Sequence, residues 1–288
     1  MLNRTFLLVT ALLVFLVSQT RGRSRRSAAE LPIQLVGGFA IVVRGDIATA
    51  HNLNLLVDTG AVPSVLSAHV ARKLISEGTW ASLVANGRQS DVPYVTVHAV
   101  RVGSVAKPEL PMVVVDLRAL EVSLHARIDG IRGLDFFVPQ SFSIDYRRRK
   151  LVLGLSERAR HALRSEVRHE FGAPYWIVPL TVNGNVVRVL LDTGANSITL
   201  FTSQVRNLQQ DSFHGPTAFT LTGQLMLETA RPLTLAFGDA QFRQPSVYMR
   251  PTSERGLQGL QGVFGPTSLG LTVIAFDWKQ QTLRWDMD

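Results

Sequence analysis

The pattern of apolar and polar positions predicts a chain built mainly of short β-strands. Residues 34–43 and 53–57 are apolar runs separated by a polar turn, and residues 176–182 and 186–191 are joined by Asn183-Gly184-Asn185. An Asn-Gly pair between two apolar runs is typical of a tight hairpin. Strand-like segments with glycine turns along most of the chain therefore favour a mostly β architecture.

This pattern occurs twice. Each half has an apolar strand that ends in Asp, then a short helix-like stretch, and later an apolar-Gly element followed by a strand with a second Asp. Gly133 follows Asp58 by 75 residues, and Gly265 follows Asp192 by 73. Matching order and spacing indicate an internal repeat. The repeated elements are the helix-like residues 68–75 and 202–208, the apolar-Gly residues 130–134 and 262–266, and Asp145 and Asp277.

The repeat divides the chain into two lobes, predicted at residues 32–155 and 173–288. Residues 156–172 lie between them as a linker. The part at 156–170 is polar and charged and lacks strand alternation, so we expect it to be helical in part.

The sequence Asp-Thr-Gly-Ala occurs twice, at Asp58 and at Asp192, each time after three aliphatic residues. A carboxylate in such a setting is costly to remove from water, which argues against a purely structural role. The plain alternative is that Asp and Thr cap turns after strands, as Asp commonly does. Two copies with matching downstream elements favour the functional interpretation.

On these motifs the chain resembles the aspartic peptidases, and within them the retropepsin-like branch, over residues 32–288. The resemblance implies a mostly β, bilobal pepsin/retropepsin-like acid protease fold with two pseudo-symmetric β-barrel-like lobes. It also implies that Asp58 and Asp192 face each other across a pseudo-twofold axis. Because one chain carries both motifs, it implies an active monomer. Water would attack an extended peptide or protein substrate directly, without a cofactor.

Each motif residue has an expected role. Asp58 and Asp192 would be the catalytic pair, because two carboxyl groups held close together share a proton, as they do in the aspartic proteases that the chain resembles. By the resemblance, Thr59 and Thr193 would interlock the two loops. Gly60 and Gly194 would allow a tight turn and close approach of substrate. The same resemblance assigns Ala61, Ala195 and Asn196 to the lining of the substrate backbone.

Two turns are candidate flaps over the cleft, and one of them is expected to close. They are Asn86-Gly87 and Thr222-Gly223. Gly87 follows Asp58 by 29 residues, and Gly223 follows Asp192 by 31. The alternative is that both are ordinary hairpin turns. Trp80 or Tyr94 could supply an aromatic side chain near the flap, but both are expected in the core.

The two halves are not identical, and this motivates a second hypothesis. Gly265 is followed by Pro266, whereas Gly133 is followed by Leu134 and Asp135. This makes a helix after the second apolar-Gly element doubtful. A non-catalytic peptide-binding pseudoprotease with the same fold is the alternative function. Asp135, Asp145 and Asp277 are expected to have structural roles.

Composition excludes other chemistry and leaves one question about location. The chain has no cysteine, which excludes disulfides and metal sites with thiolate ligands. It also lacks the His-Glu-x-x-His spacing of a zinc peptidase. It has 30 Lys and Arg against 22 Asp and Glu, but the basic runs lack the aromatic array of a nucleic-acid site. Residues 1–26 have an apolar stretch at 6–17 and a basic flank. They predict a signal for periplasmic or extracellular export, or an uncleaved membrane anchor.

Overall fold

The computed structural model describes residues 29–75, 78–85, 88–170, 173–202, 210–220, 223–230, 234–243, 246–250 and 259–287. The predicted export segment, the candidate flap turn at Asn86-Gly87 and most of the helix-like stretch at 202–208 lie outside these residues. None of the helices in the described ranges has the length and apolar character needed to span a bilayer.

Strands dominate both halves of the described chain. The first half contains β1 (Ala29–Pro32), β2 (Gln34–Val36), β3 (Ala40–Ile47), β4 (Ala50–Val57), β5 (Val65–Ser67), α1 (Ala68–Leu74), β6 (Thr79–Ala85), β7 (Arg88–Val102), β8 (Val105–Val115), α2 (Arg118–Leu124), β9 (Gly130–Arg132), α3 (Leu134–Phe137), β10 (Phe142–Asp145) and β11 (Lys150–Leu153). The second half contains β12 (His161–Arg164), β13 (Glu166–Glu170), β14 (Ala173–Val182), β15 (Asn185–Leu191), β16 (Ile198–Phe201), β17 (Gln210–Thr220), β18 (Gly223–Ala230), β19 (Thr234–Phe237), β20 (Ala240–Arg243), β21 (Val247–Arg250), β22 (Gly262–Phe264), a 3-10 helix (Pro266–Leu269), β23 (Leu271–Asp277) and β24 (Thr282–Met287).

Each lobe is formed around its own sheet. In the N-terminal lobe the strand order is β2-β3-β4-β9-β5-β8-β7-β6, and β3 also pairs with β7, which curls the sheet back on itself. In the C-terminal lobe the order is β17-β18-β21-β16-β22-β15-β14-β19-β20, with β13 added to β14. Corresponding strands therefore have corresponding neighbours.

The short strand after each long connection inserts between two strands of its lobe. β9 runs parallel to β4 and antiparallel to β5, and β22 runs parallel to β15 and antiparallel to β16. The registers place Val57 beside Arg132 and Leu191 beside Phe264. A strand paired on both sides and buried on both faces favours apolar and small residues, which accounts for the glycine and aliphatic positions of these segments. Arg132 in β9 is the exception.

A third sheet joins the two halves. Its order is β1-β11-β10-β23-β24-β12, and the junction is the antiparallel pair β10–β23, with Ile144 opposite Ile274. Phe142 and Phe276 stack across this junction with ring centroids 4.5 Å apart. Since both side chains are fully buried, the two lobes share a continuous hydrophobic core through this sheet.

The predicted helical character of the linker is wrong. Residues 161–164 form β12 at the edge of the joining sheet, and residues 166–170 form β13 at the edge of the C-terminal lobe. Both are edge strands with one partner, so polar residues are tolerated and the apolar alternation is weak. The expectation that Trp80 is a core residue is also wrong, because its side chain is 73% exposed on β6.

Candidate active site

Both Asp-Thr-Gly-Ala motifs lie in loops at the ends of strands that pair with the inserted strands. The Asp58 N–H donates to the carbonyl oxygen of Arg132 at 3.0 Å, and the Asp192 N–H donates to that of Phe264 at 2.9 Å. The aliphatic runs before each Asp are buried. Burial of the strand therefore fixes the backbone position from which each carboxylate projects.

The structure brings Asp58 and Asp192 together. They are neighbours that shift each other's pKa, and both are half-buried. Each carboxylate also lies directly against the glycine of the other loop. A Cβ at position 60 would lie 2.5 Å from Asp192 Cγ, and one at position 194 would lie 2.5 Å from Asp58 Oδ2. Glycine is thus required at Gly60 and Gly194 by the approach of the two carboxylates.

Within each loop the backbone holds its own Asp. The Gly60 N–H donates to Asp58 Oδ1 at 2.8 Å, and the Gly194 N–H donates to Asp192 Oδ1 at the same distance. Hydrogen bonds from backbone N–H groups stabilise a carboxylate in one orientation. The two aspartates are therefore held in equivalent ways from the two sides.

The two threonines cross between the loops. Thr59 Oγ1 donates to the Leu191 carbonyl oxygen at 2.8 Å and accepts from the Thr193 N–H at 3.1 Å. Thr193 Oγ1 donates to the Val57 carbonyl oxygen at 2.9 Å and accepts from the Thr59 N–H at 3.1 Å. Both side chains are buried. These four reciprocal bonds fix one loop relative to the other.

Sequence reasoning missed Ser64, which supports the first loop from below. Its N–H and Oγ donate to Asp135 Oδ2 and Oδ1 at 2.8 and 2.7 Å, and its Oγ accepts from the Gly133 N–H at 3.1 Å. In the second lobe the Gly265 N–H donates to the Ser197 carbonyl oxygen at 2.9 Å. A serine shortly after each motif was a visible signal. Asp135 is thus part of the support for the loop.

Burial and proximity shape the electrostatics of the pair. Removal from water raises the pKa of Asp58, and hydrogen bonds to the carboxylate oppose this effect. Removal from water raises the pKa of Asp192 well above its usual range, and the charge and hydrogen bond of Asp58 add to it. Two adjacent carboxyl groups cannot both ionise cheaply, so the pair retains one proton over a wide pH range.

The other predicted site residues lie in different settings. Ala61 is buried, Ala195 is half-buried and Asn196 is exposed beside the second loop. Gly223 begins β18 opposite Thr220 in the β17–β18 hairpin, while Gly87 lies outside the described residues. The described residues contain no group of three or more His, Asp or Glu placed to hold a metal ion.

The remaining buried aspartates of the repeat belong to turns. Asp145 accepts a hydrogen bond from the Arg148 N–H at 2.7 Å, and Asp277 accepts one from the Gln280 N–H at 3.1 Å. Each carboxylate thus closes the turn that follows its strand in the joining sheet. Neither provides a second acidic pair.

Comparison with known proteins agrees with this geometry. The family model for aspartyl proteases matches residues 41–136 and 178–271, more than half of the chain and once in each lobe. An aspartic proteinase from Irpex lacteus has a similar structure, with a TM-score of 0.54, 15% sequence identity, and coverage of 91% of this chain and 97% of that one. A search of curated protein sequences found no match.

The structural similarity confirms the predicted fold class, a mostly β, bilobal acid protease fold. The match of the family model to both repeats confirms the predicted family resemblance. The chain therefore belongs to the aspartyl protease family.

Proposed function

We propose that this protein is an aspartic endopeptidase that hydrolyses peptide bonds with a water molecule activated by Asp58 and Asp192. The observation that carries the proposal is the adjacent pair of carboxyl groups, each lying against the glycine of the opposite loop and held by the N–H of its own loop glycine. Belonging to the aspartyl protease family supports hydrolase chemistry of this type.

The reaction needs one ionised and one protonated carboxyl group. The ionised group takes a proton from water as the water oxygen attacks the scissile carbonyl carbon, and the protonated group gives its proton to the carbonyl oxygen. The resulting tetrahedral diol collapses when a proton passes to the amide nitrogen and the C–N bond breaks. Because the two groups titrate as a pair, the free enzyme has no fixed acid and no fixed base.

The threonine crossing has a mechanical role in this proposal. General acid–base catalysis needs the reacting groups within hydrogen-bond reach of one water molecule. The four bonds that Thr59 and Thr193 make across the loops, two with each other and two with the carbonyl oxygens of Leu191 and Val57, prevent the loops from separating. Substrate would bind as an extended chain between the lobes, with Ala61, Ala195 and Asn196 beside its backbone and the β17–β18 hairpin or the hairpin that contains Gly87 closing above it.

We also propose that the protein acts after export, as a monomer. One chain supplies both Asp loops, so a second copy is not needed to complete the site. The N-terminal segment, with its apolar residues 6–17 and basic flank, supports export to the periplasm or outside the cell, or anchoring to a membrane. N-terminal sequencing of the purified mature protein tests this, since a start at Met1 would contradict cleavage and a start near Arg23 would contradict anchoring.

The decisive experiment is a cleavage-site profile on an unbiased peptide mixture, from acidic to neutral pH. Asp58→Asn and Asp192→Asn should each lower the rate by a factor on the order of 10³ or more, because each removes an acid–base group. Asp239→Asn, which changes an exposed carboxylate far from the loops in sequence, is the matched control and should cleave normally.

Two results would contradict the proposal. Wild-type protein that cuts no peptide in the mixture but binds peptides, with binding unchanged by Asp192→Asn, would identify a pseudoprotease. Cleavage that continues at the wild-type rate in both Asn variants would assign the activity to other residues or to a contaminant.

A further inference from the structure

A large basic cavity lies beside the two longer helices of the N-terminal lobe, away from the Asp loops. It has a volume of about 930 Å³ and lies between α1 and the segment from α2 to β9. It is a broad depression that is open to solvent rather than an enclosed pocket. We call this the basic cleft, and its basic lining residues are His69, Arg72, Lys73, Arg118, His125 and Arg127.

The acids near the basic cleft are already engaged within the protein. Glu121, the acidic residue of the lining, accepts a hydrogen bond from the Ile128 N–H at 3.0 Å. Asp129 has a side chain only 5% exposed and accepts from the Asn54 N–H at 2.9 Å. The Asp129 carboxylate also bonds His69 and Arg127 at 2.8 and 3.0 Å. These acids hold the cations in place and present little negative charge to the cavity.

Two cations of the cleft are exposed to a ligand. In the described part of the chain, Arg72 and Lys73 form no ion pair with a carboxylate within 4.0 Å, although the charge of Arg72 lowers the pKa of nearby Asp116. Arg118, by contrast, pairs with Asp116. Val122, on the same lining, is 70% exposed and offers an apolar contact among the charges. The exposed positive charge is thus concentrated on the last turn of α1.

The position of α2 relates the basic cleft to the groove between the lobes. β17, from the hairpin of the C-terminal lobe, lies in contact with α2 of the N-terminal lobe. α2 therefore lies next to both the basic cleft and the opposite lobe. A chain bound between the lobes beside β17 would pass close to this cleft.

We propose that the basic cleft binds an acidic segment of the protein substrate outside the residues that surround the scissile bond. This rests on the proposed peptidase function, because it names the class of substrate. Unpaired cations around a cavity complement the carboxylates of Glu and Asp. The lining contains no Trp, Tyr or Phe, which disfavours a single-stranded nucleic acid, since such ligands stack on aromatic side chains.

Binding is tested without turnover, in the Asp58→Asn protein. The probe is fluorescein-labelled octaglutamate, measured by fluorescence anisotropy, with labelled octaglutamine as the uncharged comparison. Octaglutamate should bind, and adding salt should weaken the binding. Arg72→Glu with Lys73→Glu should lower the affinity about tenfold, because attraction is replaced by repulsion at two exposed positions.

The matched control reverses one Arg and one Lys elsewhere. Arg243→Glu with Lys279→Glu makes the same change of net charge at exposed positions outside the cleft, and it should leave binding within about twofold. An equal loss in this control would overturn the proposal, as would absence of octaglutamate binding. Binding to phosphatidylglycerol vesicles or to heparin without binding to octaglutamate would assign the cleft to a different partner and also overturn it.

A second measurement connects the cleft to cleavage. For a peptide that the wild-type protein cleaves, a Glu-rich extension should lower KM relative to a Gln-rich extension, and the Arg72→Glu, Lys73→Glu variant should lose this preference while cleaving the Gln-rich peptide normally. If no peptide is cleaved by the wild-type protein, the proposed function fails, whereas the anisotropy data still decide whether the cleft binds acidic chains.

Discussion

The two lobes place different side chains at the same position beneath their Asp loops. The carbonyl oxygens of Arg132 and Phe264 receive the N–H of Asp58 and Asp192, and both side chains are fully buried. Phe264 packs near Phe237, with ring centroids 5.1 Å apart. Arg132 brings a guanidinium group into the equivalent core. The backbone of this position is thus conserved between the lobes, while its side chain is not.

The guanidinium of Arg132 is poorly satisfied. Its Nη1 donates to the Ile131 carbonyl oxygen at 3.0 Å, but its Nε and Nη2 have no partner in the described residues. Burial lowers its pKa to about 10, and the nearby charge of Asp135 opposes that shift. A buried charge without a full set of hydrogen bonds costs free energy. Each Asp loop therefore needs only the backbone carbonyl oxygen at this position. The side chain there affects the free energy of unfolding independently of the loop.

Replacing the side chains at positions 132 and 264 should change the free energy of unfolding most. Phe264→Arg should lower the free energy of unfolding by more than about 4 kcal/mol, because it buries a second unpaired charge and removes an aromatic contact. Arg132→Met should raise it by about 1–4 kcal/mol, since an apolar side chain of similar size replaces the ion. Urea unfolding measures both.

Arg132→Lys is the control for the charge and should not be stabilised. If Arg132→Met is less stable than the wild-type protein, the guanidinium is satisfied in the native state, and the two lobes are then equally well packed beneath their loops.

A smaller effect, equal in the two lobes, is expected at the crossing threonines. Thr59→Val leaves the Leu191 carbonyl oxygen and the Thr193 N–H without their partner, and Thr193→Val does the same to Val57 and Thr59. Each loss of a buried partner costs about 1–3 kcal/mol. Thermal unfolding should therefore show similar losses for the two variants, and cleavage should fall because the carboxyl groups lose their fixed separation.

Serine keeps the hydroxyl group, so Thr59→Ser and Thr193→Ser should retain most of the stability. A large difference between the two valine variants would show that the lobes do not share the crossing equally, which would break the symmetry that the hydrogen bonds indicate.

Local signals predicted the Asp loops well, because the chemistry is encoded within a few residues of each strand end. The apolar-Gly segments were also predictable. Gly133 and Gly265 lie so close to the carbonyl oxygens of Ala61 and Ala195 that a larger residue would not fit, so the glycine recurs at the same place in both halves. The joining sheet was not predicted, because pairing between residues more than a hundred positions apart, such as Ile144 and Ile274, leaves no local pattern.

The misses also have physical reasons. The edge strands β12 and β13 read as a linker because a strand with one partner tolerates polar residues. Arg132 gave no sign of burial, because an arginine in an apolar-Gly segment is indistinguishable in sequence from an exposed one. Ser64 was overlooked because its partner Asp135 is 71 residues away.

The smallest effect should come from protonation of the dyad. Burial raises the pKa of both Asp58 and Asp192, so the native state binds more protons than the unfolded state once the pH exceeds the usual Asp value of about 3.9. Stability contributed by these groups therefore falls as pH rises through this window.

Asp58→Asn and Asp192→Asn each remove one titrating carboxyl group of the pair, so both variants should melt at a higher temperature than the wild-type protein near neutral pH. The advantage should vanish only well below the usual Asp pKa of about 3.9, where both carboxyl groups are protonated in either state. Asp91→Asn, at an exposed position of β7 that is not part of the pair, is the comparison variant and should show a smaller gap. A melting difference that stays constant with pH would mean that the two lobes do not hold a shared proton between them.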